Sequence, residues 1–420
     1  MNGTRRFAIY AAAAAQFAAV AARMFLLPLQ ARAVGLSAGE IGLVVAAATL
    51  AAAALSLPAG ALADRLGSRT VLAGATAAGV LSQLATSWVS QLDLLLPLQL
   101  VGGACTSAVM ATLMAELTRV TPTSGLGRGL GWLTFSNQAG YLAGPAAAGV
   151  ALTWLSTRQD LAVSALLWLL VLPAAVLCGP GRPGPGGRLR LAEALAVLAR
   201  QPALVPLTLS MIAAALLWGT LEGYLPLVGR ESMGLSGAAI GFLIAAQALV
   251  NGASRLPAGR LVDGGRHRTR LALLCILAYA AAVAAVPRLP AAAAAALVVL
   301  SVALIATAFV ALATSFARLA PPELRSTTMA LYVALLFVGL AAGPAVFGLW
   351  IDASGFAGGF GACAAVASAL ALGAAALRPG RALLRPGRAL LPGPAAAGPS
   401  RRPAPADAEG RAAHKEIEVE

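Results

Sequence analysis

Apolar stretches of membrane-crossing length recur along the whole chain, separated by short clusters of Gly, Pro and charged residues. Twelve can be drawn, at 7–29, 38–61, 70–89, 92–115, 130–155, 161–178, 203–228, 237–257, 271–287, 291–314, 328–350 and 357–377. Each suits a helix crossing about 30 Å of hydrocarbon. None keeps the continuous polar face that a helix of a water-soluble bundle turns to solvent. Ala and Gly are abundant in them, and small residues let helix backbones approach closely in lipid. The pattern predicts an all-α membrane protein of twelve transmembrane helices.

The pattern also repeats, at a constant offset of 199 residues. Gly35-Leu36-Ser37 returns as Gly234-Leu235-Ser236, and Ile41-Gly42 as Ile240-Gly241. Pro58-Ala59-Gly60 returns as Pro257-Ala258-Gly259, and Leu62, Asp64, Arg69 and Thr70 as Leu261, Asp263, Arg268 and Thr269. Arg119 and Pro122 match Arg318 and Pro321; Gly140, Gly144, Pro145 and Gly149 match Gly339, Gly343, Pro344 and Gly348. Two copies of one six-helix unit follow, and in a membrane such a repeat points to a carrier with its site between the halves. The expected organisation is a first bundle at 1–178, a cytoplasmic linker at 179–200, a second bundle at 201–378 and a tail at 379–420. The linker opens with the Gly/Pro run 179–187, which cannot hold a helix. It continues at 188–200 with basic and apolar residues at the spacing of a short amphipathic helix lying on the inner membrane surface. The tail is expected to be disordered, with weak lipid contact at most.

Charge fixes orientation more than function. Only 11% of residues are charged, against about 25% in a soluble domain, while 59% are hydrophobic. The net charge of +14 would suit nucleic acid, but its placement does not. With the N-terminus inside, cytoplasmic segments hold 25 of the 30 Lys and Arg residues, and outer loops hold Arg32, Arg158, Arg230 and Arg288. That is the positive-inside asymmetry, and it places both termini in the cytoplasm of a cell with the chain in its inner membrane. No signal peptide is expected, because the first apolar run is long and no small-residue cleavage site follows it. Cys105, Cys178, Cys275 and Cys363 stand in separate spans, and His267 and His414 are the two histidines, so no metal site or cofactor is expected. No nucleophile–base pair or phosphate loop indicates an enzyme.

Between spans two and three stands Gly60-Ala-Leu-Ala-Asp64-Arg65-Leu-Gly67-Ser68-Arg69-Thr70. Gly67 suits a tight turn, the arginines suit anionic lipid, and Asp64 can cap a helix start or pair with an arginine. The segment resembles the loop signature of the major facilitator superfamily, departing at Ser68, where that family often carries a basic residue. Gly259-Arg-Leu-Val-Asp263-Gly-Gly-Arg266-His-Arg268 is a weaker second copy. With twelve spans and the repeat, the resemblance covers about 375 residues and implies two six-helix bundles that rock about a midplane site. It also implies that Asp64 helps to latch the cytoplasmic side. Span five carries Gly131, Gly140, Gly144, Pro145 and Gly149, similar to the span-five motif of the superfamily's antiporters, with Ala148 in place of one glycine. Glycines four apart make a flat helix-packing groove, and Pro145 removes one backbone hydrogen bond. Span eleven repeats Gly339, Gly343, Pro344 and Gly348, where the resemblance attaches no antiport meaning, so packing alone is the competing reading. Proton-coupled relatives also carry an arginine before a glycine pair in span four; here Leu98 and Gln99 precede Gly102-Gly103.

Arg23 in span one and Glu222 in span seven are the clearly intramembrane charges, and they are equivalent under the 199-residue repeat. Each would cost about 2.5–3.5 kcal/mol near the bilayer centre, so neither should face lipid unpaired. Three readings stay open: an ion pair gating the outer side, a coupling site at which Glu222 takes a proton when the pair parts, or direct contact with a charged substrate. Gln16, Arg23 and Gln30 form a polar stripe on span one, and Trp218 precedes Glu222 by one turn, with Tyr224 close by. Thr134, Gln138 and Tyr141 share a face of span five with Asn137 nearby, and Gln247 and Asn251 stand one turn apart on span eight. These are the candidate cavity-lining residues; the competing reading of each is an interhelical hydrogen bond.

The expectation is therefore a monomeric secondary transporter that exports a small amphipathic molecule in exchange for protons, surrounded by membrane lipids and without nucleic acid. A sugar or metabolite carrier working by uptake symport, uniport or efflux is the alternative. A non-transporting sensor or scaffold is the reading from another class.

Overall fold

A computed structural model describes residues 2–122, 125–178, 201–263, 268–319 and 325–377. The expected linker at 179–200 and tail at 379–420 lie outside the described residues.

The first half holds α1 (Asn2–Ala33), α2 (Ala38–Leu66), α3 (Ser68–Trp88), α4 (Leu92–Val120), α5 (Leu126–Ala151) and α6 (Thr157–Leu177), whose middle, Leu166–Val171, winds as a tighter 3₁₀ helix. The second half holds α7 (Leu204–Leu227), α8 (Gly237–Asp263), α9 (Arg268–Ala285) and α10 (Ala291–Leu319). It ends with the helical run Arg325–Ala376, broken at Gly355 (φ 71°) into α11 before and α12 after. All twelve apolar segments are thus helical among the described residues. Nine runs are long and apolar enough to cross a membrane on composition alone, one of them the 46-residue Leu331–Ala376 that holds α11 and α12. α3 falls outside those nine because it is dotted with Thr76, Ser82, Gln83 and Thr86, and these side chains are buried inside the first half.

Local chemistry explains several boundaries. Gly35 (φ 92°) and Gly234 (φ 63°), equivalent in the repeat, turn the chain through the left-handed region where glycine is favoured. Ser37 then caps α2: its hydroxyl accepts from the Glu40 amide at 3.2 Å, and the Glu40 carboxylate accepts from the Ser37 amide at 2.8 Å. Ser156 and Gln159 repeat that box at the start of α6. Gly67 (φ 86°) makes the one-residue break between α2 and α3. The turns at 34–37, 89–91, 152–156, 233–236 and 286–290 share one end of the molecule, called here the Gly35 end. The opposite end carries Gly67.

Two seams join the halves, and they are copies of each other. On α2, a Cβ at Gly42 would overlap the Pro344 carbonyl of α11, and on α8 a Cβ at Gly241 would overlap the Pro145 carbonyl of α5. Gly348 likewise abuts the Ala38 carbonyl, while Gly149 abuts that of Gly237. Both seams lie toward the Gly35 end. Followed toward the Gly67 end, the same faces open: on α5 Tyr141 and Gln138 are half-buried and Thr134 is exposed, and on α8 Gly252 is half-buried and Arg255 exposed. The halves are closed against each other at the Gly35 end and diverge toward the Gly67 end.

The glycine motif of span five therefore serves packing on two sides. Gly140 and Gly144 seat on the Ala14 and Ala18 carbonyls of α1, and Gly339 and Gly343 seat on Ala215 and the Leu216 carbonyl of α7. Gly131 is a correction: it is exposed and a Cβ there would meet nothing within 4 Å, so it belongs to no packed groove.

Candidate functional site

α7 brings Trp218 and Glu222 onto one helical face, one turn apart, and the Glu222 carboxylate draws its neighbours from several helices. Trp218 donates its indole N–H to Oε1 at 3.0 Å, and Tyr141 of α5, from the other half, donates its hydroxyl to Oε2 at 3.0 Å. Gln247 of α8 adjoins the carboxylate, although among the described residues its Nε2, which is buried, makes no hydrogen bond of good geometry. Tyr279 of α9 lies near enough to feel the charge; it is fully buried and its hydroxyl has no hydrogen-bond partner among the described residues. Phe309 of α10 closes the group, its ring 5.2 Å from that of Trp218. Glu222 itself is half-buried, as it must be to face an opening between the halves. Nearer the Gly67 end, Asn251 accepts from the Arg255 Nε at 3.2 Å, and Gln138 lies beside Gly252.

Arg23 does not join this group. Its guanidinium packs over Gly102 of α4, where a Cβ would collide with Nη1, with Cys105 also near. Only 4% of Arg23 is exposed, and among the described residues it makes no hydrogen bond or ion pair. The Arg23–Glu222 pair is thus absent in this conformation: neutral donors hold the carboxylate, and the cation lies within the first half. Arg23 stands against the glycine pair of span four, while Gln99 is fully buried and donates to Thr86 at 3.1 Å.

An ion pair between equivalent positions does occur nine residues further along the chain in each half, the second member in the π-helical turn Val228–Ser232 that follows α7. Arg32 and Glu231, also 199 apart, meet at 2.9 Å and join the halves at the Gly35 end. Beside them the Asp352 carboxylate of α11 accepts from the first amides of α2, Ala38 at 2.7 Å and Gly39 at 2.8 Å. A helix start leaves such amides without intrahelical partners and favours an anion there.

Other candidates take structural places. Tyr224 is a correction: it is fully buried in the α2–α11 seam, its hydroxyl 2.6 Å from the Ala38 carbonyl and 2.9 Å from that of Pro344, and it lines no cavity. Gln16 is also corrected, being fully buried and donating to the Thr106 carbonyl of α4 at 2.8 Å. Asn137 is buried against Met110 of α4, so it too faces away from the opening. Gln30 is half-buried, and Thr134, exposed, bonds its own helix at Leu130.

At the Gly67 end the side chains of Asp64 and Asp263, the side-chain position of Gly60 and the whole of Arg266 lie outside the described residues. Arg65 and Arg69 are exposed, a Cβ at Gly259 would meet nothing within 4 Å, and Arg268 donates to the Val262 carbonyl at 2.8 Å, joining α9 to the end of α8. The departure at Ser68 has a local reason: its hydroxyl donates to Glu116 at 2.6 Å, and Arg119 completes the cluster at 2.7 Å from the same carboxylate.

Tyr279, Phe309, Asp352 and the Arg32–Glu231 pair were not singled out from sequence. The 199-residue offset was the signal for the last. The two aromatics carry no periodic or charge signature that separates them from helix packing.

No curated protein sequence matches the chain. Among solved structures it is similar to a mutant form of the nucleoside transporter NupG, with a TM-score of 0.78 and 13% identity over 89% of this chain and 99% of that one. It is also similar to a bacterial homolog of the human lysosomal transporter Spinster, in an inward-facing and unoccupied conformation, with a TM-score of 0.74 and 14% identity over 90% of this chain and 96% of that one. The inward-facing and occupied form of that homolog gives a TM-score of 0.72 at 14% identity, over 89% and 95% of the two chains. Such identities speak for the fold alone. The sequence profile of the Major Facilitator Superfamily matches residues 9–239 and again residues 207–406, its two starts nearly one repeat apart. With two six-helix halves and seams that obey that repeat, the chain belongs to the Major Facilitator Superfamily, whose members carry small molecules across membranes.

Proposed function

We propose that the chain exports a small amphipathic molecule across the inner membrane in exchange for protons, with Glu222 as the coupling carboxylate. The observation that carries this reading is the carboxylate's company. Glu222 sits half-buried between the halves, held by Trp218 and Tyr141, with no cation paired to it among the described residues and apolar or aromatic surface around it. An ionised carboxylate in that setting is costly unless something neutralises it. A proton entering from one side and a substrate from the other can each do so, and their mutual exclusion ties one flux to the other. With both termini in the cytoplasm, the divergent Gly67 end faces inward, so a substrate reaches Glu222 from the cytoplasm or inner leaflet. Tyr141 leaves the carboxylate as the substrate enters, and that rearrangement uncovers the Gln247 Nε2 and the Tyr279 hydroxyl, both buried and without a hydrogen-bond partner among the described residues, for polar atoms of the newcomer. Loss of the proton then occurs inward and its return outward, after the halves have rocked.

A carrier of hydrogen-bonding metabolites is the second reading, favoured by those same two unpartnered donors and by the fold likeness to a nucleoside transporter. The test is cellular accumulation of a panel of lipophilic compounds in an efflux-deficient bacterial host. Lower accumulation that a protonophore and Glu222→Gln both abolish supports proton-driven export. Unchanged or raised accumulation across the panel moves the assignment to the metabolite carrier, and full activity in the Glu222→Gln variant under an imposed proton gradient removes Glu222 from coupling.

A further inference from the structure

Positive charge is scarce on the side that the topology turns outward: Arg32, Arg158, Arg230 and Arg288 are all the outer loops hold. Three of the four have work within the chain. Arg158 stacks on the Trp88 ring, 4.1 Å from its centroid. Arg288 donates to the Ala284 carbonyl and, at 2.9 Å, to that of Ala357. Arg32 pairs with Glu231. Arg230 remains, exposed and with no hydrogen bond or ion pair among the described residues. It lines a cavity of about 470 Å³ together with Arg32 and Glu231, walled by Leu29 and Ser156 of the first half and Leu227 of the second. Two of the four outer cations therefore line one cavity; Arg32 is compensated by Glu231, with Asp352 beside them held by the first amides of α2, which leaves Arg230 as the cation without a partner among the described residues.

The cavity's neighbour says what kind of anion suits it. Leu155 is shared with a second hollow of about 470 Å³, an apolar groove between α5 and α8 lined by Ala147, Val150, Trp154 and Phe242. Trp154, in the turn after α5, is 79% and Phe242, on α8, 56% exposed on that surface, at the end of the spans where aromatic side chains meet the lipid interface. A pocket with an unpartnered arginine, set beside an apolar groove across Leu155, matches a molecule with an anionic head and a hydrocarbon tail. A free inorganic anion would fill the pocket and leave the groove without use.

We infer that this seam binds an anionic phospholipid of the outer leaflet, its phosphate headgroup in the Arg32–Arg230 pocket and one acyl chain in the Trp154–Phe242 groove. Both halves wall the pocket, so the site exists only while the Gly35 end is closed, and occupancy favours that state by mass action.

The full chain in nanodiscs tests this through Trp154 fluorescence, taken as the difference between the parent and Trp154→Phe. Phosphatidylglycerol brominated on its acyl chains should half-quench Trp154 at about a fifth of the mole fraction that brominated phosphatidylcholine requires, the discrimination one arginine near a headgroup supplies. Arg230→Gln should erase that difference while leaving the phosphatidylcholine curve in place, which also shows that the variant is folded. Soluble glycerol 1-phosphate should not compete. Equal curves for the two lipids would mean ordinary boundary lipid and overturn the site. So would a preference that survives Arg230→Gln, because the headgroup would then be read elsewhere. Competition by glycerol 1-phosphate would assign the pocket to a free phosphate compound and overturn the lipid.

Discussion

Asp352→Ala removes the carboxylate that accepts from Ala38 and Gly39, at 2.7 and 2.8 Å, and so unties α11 from the start of α2. A charge-assisted hydrogen bond contributes about 1.5–3 kcal/mol when well buried. Asp352 is exposed, so water replaces much of that contribution once the halves separate, and the two bonds together are set at about 1.4 kcal/mol. That is about tenfold in an equilibrium constant. The contact exists only with the Gly35 end shut, so the variant should raise the population open at that end about tenfold relative to the parent. Arg32–Glu231 provides the contrast, because its side chains are 38% and 35% exposed. Such a pair contributes at most about 1 kcal/mol, and about threefold is expected for Glu231→Gln after screening. Spin labels at Thr153 and Ser232, exposed residues of the first and second half at that end, report the opening as a long-distance population in pulsed dipolar measurements on nanodiscs. The reasoning is refuted if Asp352→Ala leaves the distance distribution unchanged, or if Glu231→Gln moves it further than Asp352→Ala does.

The seams make a second prediction: Gly42→Ala and Gly241→Ala each force a Cβ into a carbonyl of the opposite half, and each should cut transport at least tenfold in the cellular accumulation assay, while Gly131→Ala, with nothing within 4 Å, leaves it unchanged. Inside the first half, Trp168 is fully buried and donates to Gln83 at 3.0 Å, so Trp168→Phe should cost about 1–2 kcal/mol and lower the thermal unfolding midpoint in detergent. An unchanged midpoint would show that the Gln83–Ser164 bond at 2.8 Å holds α3 to α6 unaided. Tyr141→Phe should leave one Glu222 oxygen without its donor and shift the pH at which transport is half-maximal, whereas a merely structural Tyr141 would lower the rate equally at all pH values.

The architecture was legible because its signals are one-dimensional. Span length, the 199-residue offset and the turn glycines Gly35 and Gly234 need no knowledge of which helices touch. The site was legible only in pieces. Glu222, Trp218, Tyr141 and Gln247 each stood out as a polar or aromatic residue in an apolar span, but that spans five, seven and eight bring them together is a property of packing. Arg23 and Glu222 illustrate this most plainly. Equivalence under the repeat was the right rule, yet the ion pair stands at the Gly35 end, between Arg32 of α1 and Glu231 in the turn of π-helix after α7. Further in, small residues decide the outcome: Gly102 leaves room for the Arg23 guanidinium on α4, and the cation turns into its own half. Tyr224 was misread for a similar reason, since a tyrosine one helical turn from an opening and one inside a seam look alike in sequence.

The paired seams bear on how such a chain can arise. Each half carries both a notch and a carbonyl ledge that the other half needs: Gly42 and Pro145 in the first, Gly241 and Pro344 in the second. That is the requirement for self-complementary association about a two-fold axis. A lone six-helix unit with both parts could therefore dimerise with its own twin through two identical joints. In such a twin, however, position 32 would face its own kind, arginine against arginine or glutamate against glutamate. Joining the copies in one chain lets them diverge, so that Arg32 can meet Glu231. An Arg–Glu pair at one equivalent position therefore requires two different copies, and a symmetric twin could not contain it.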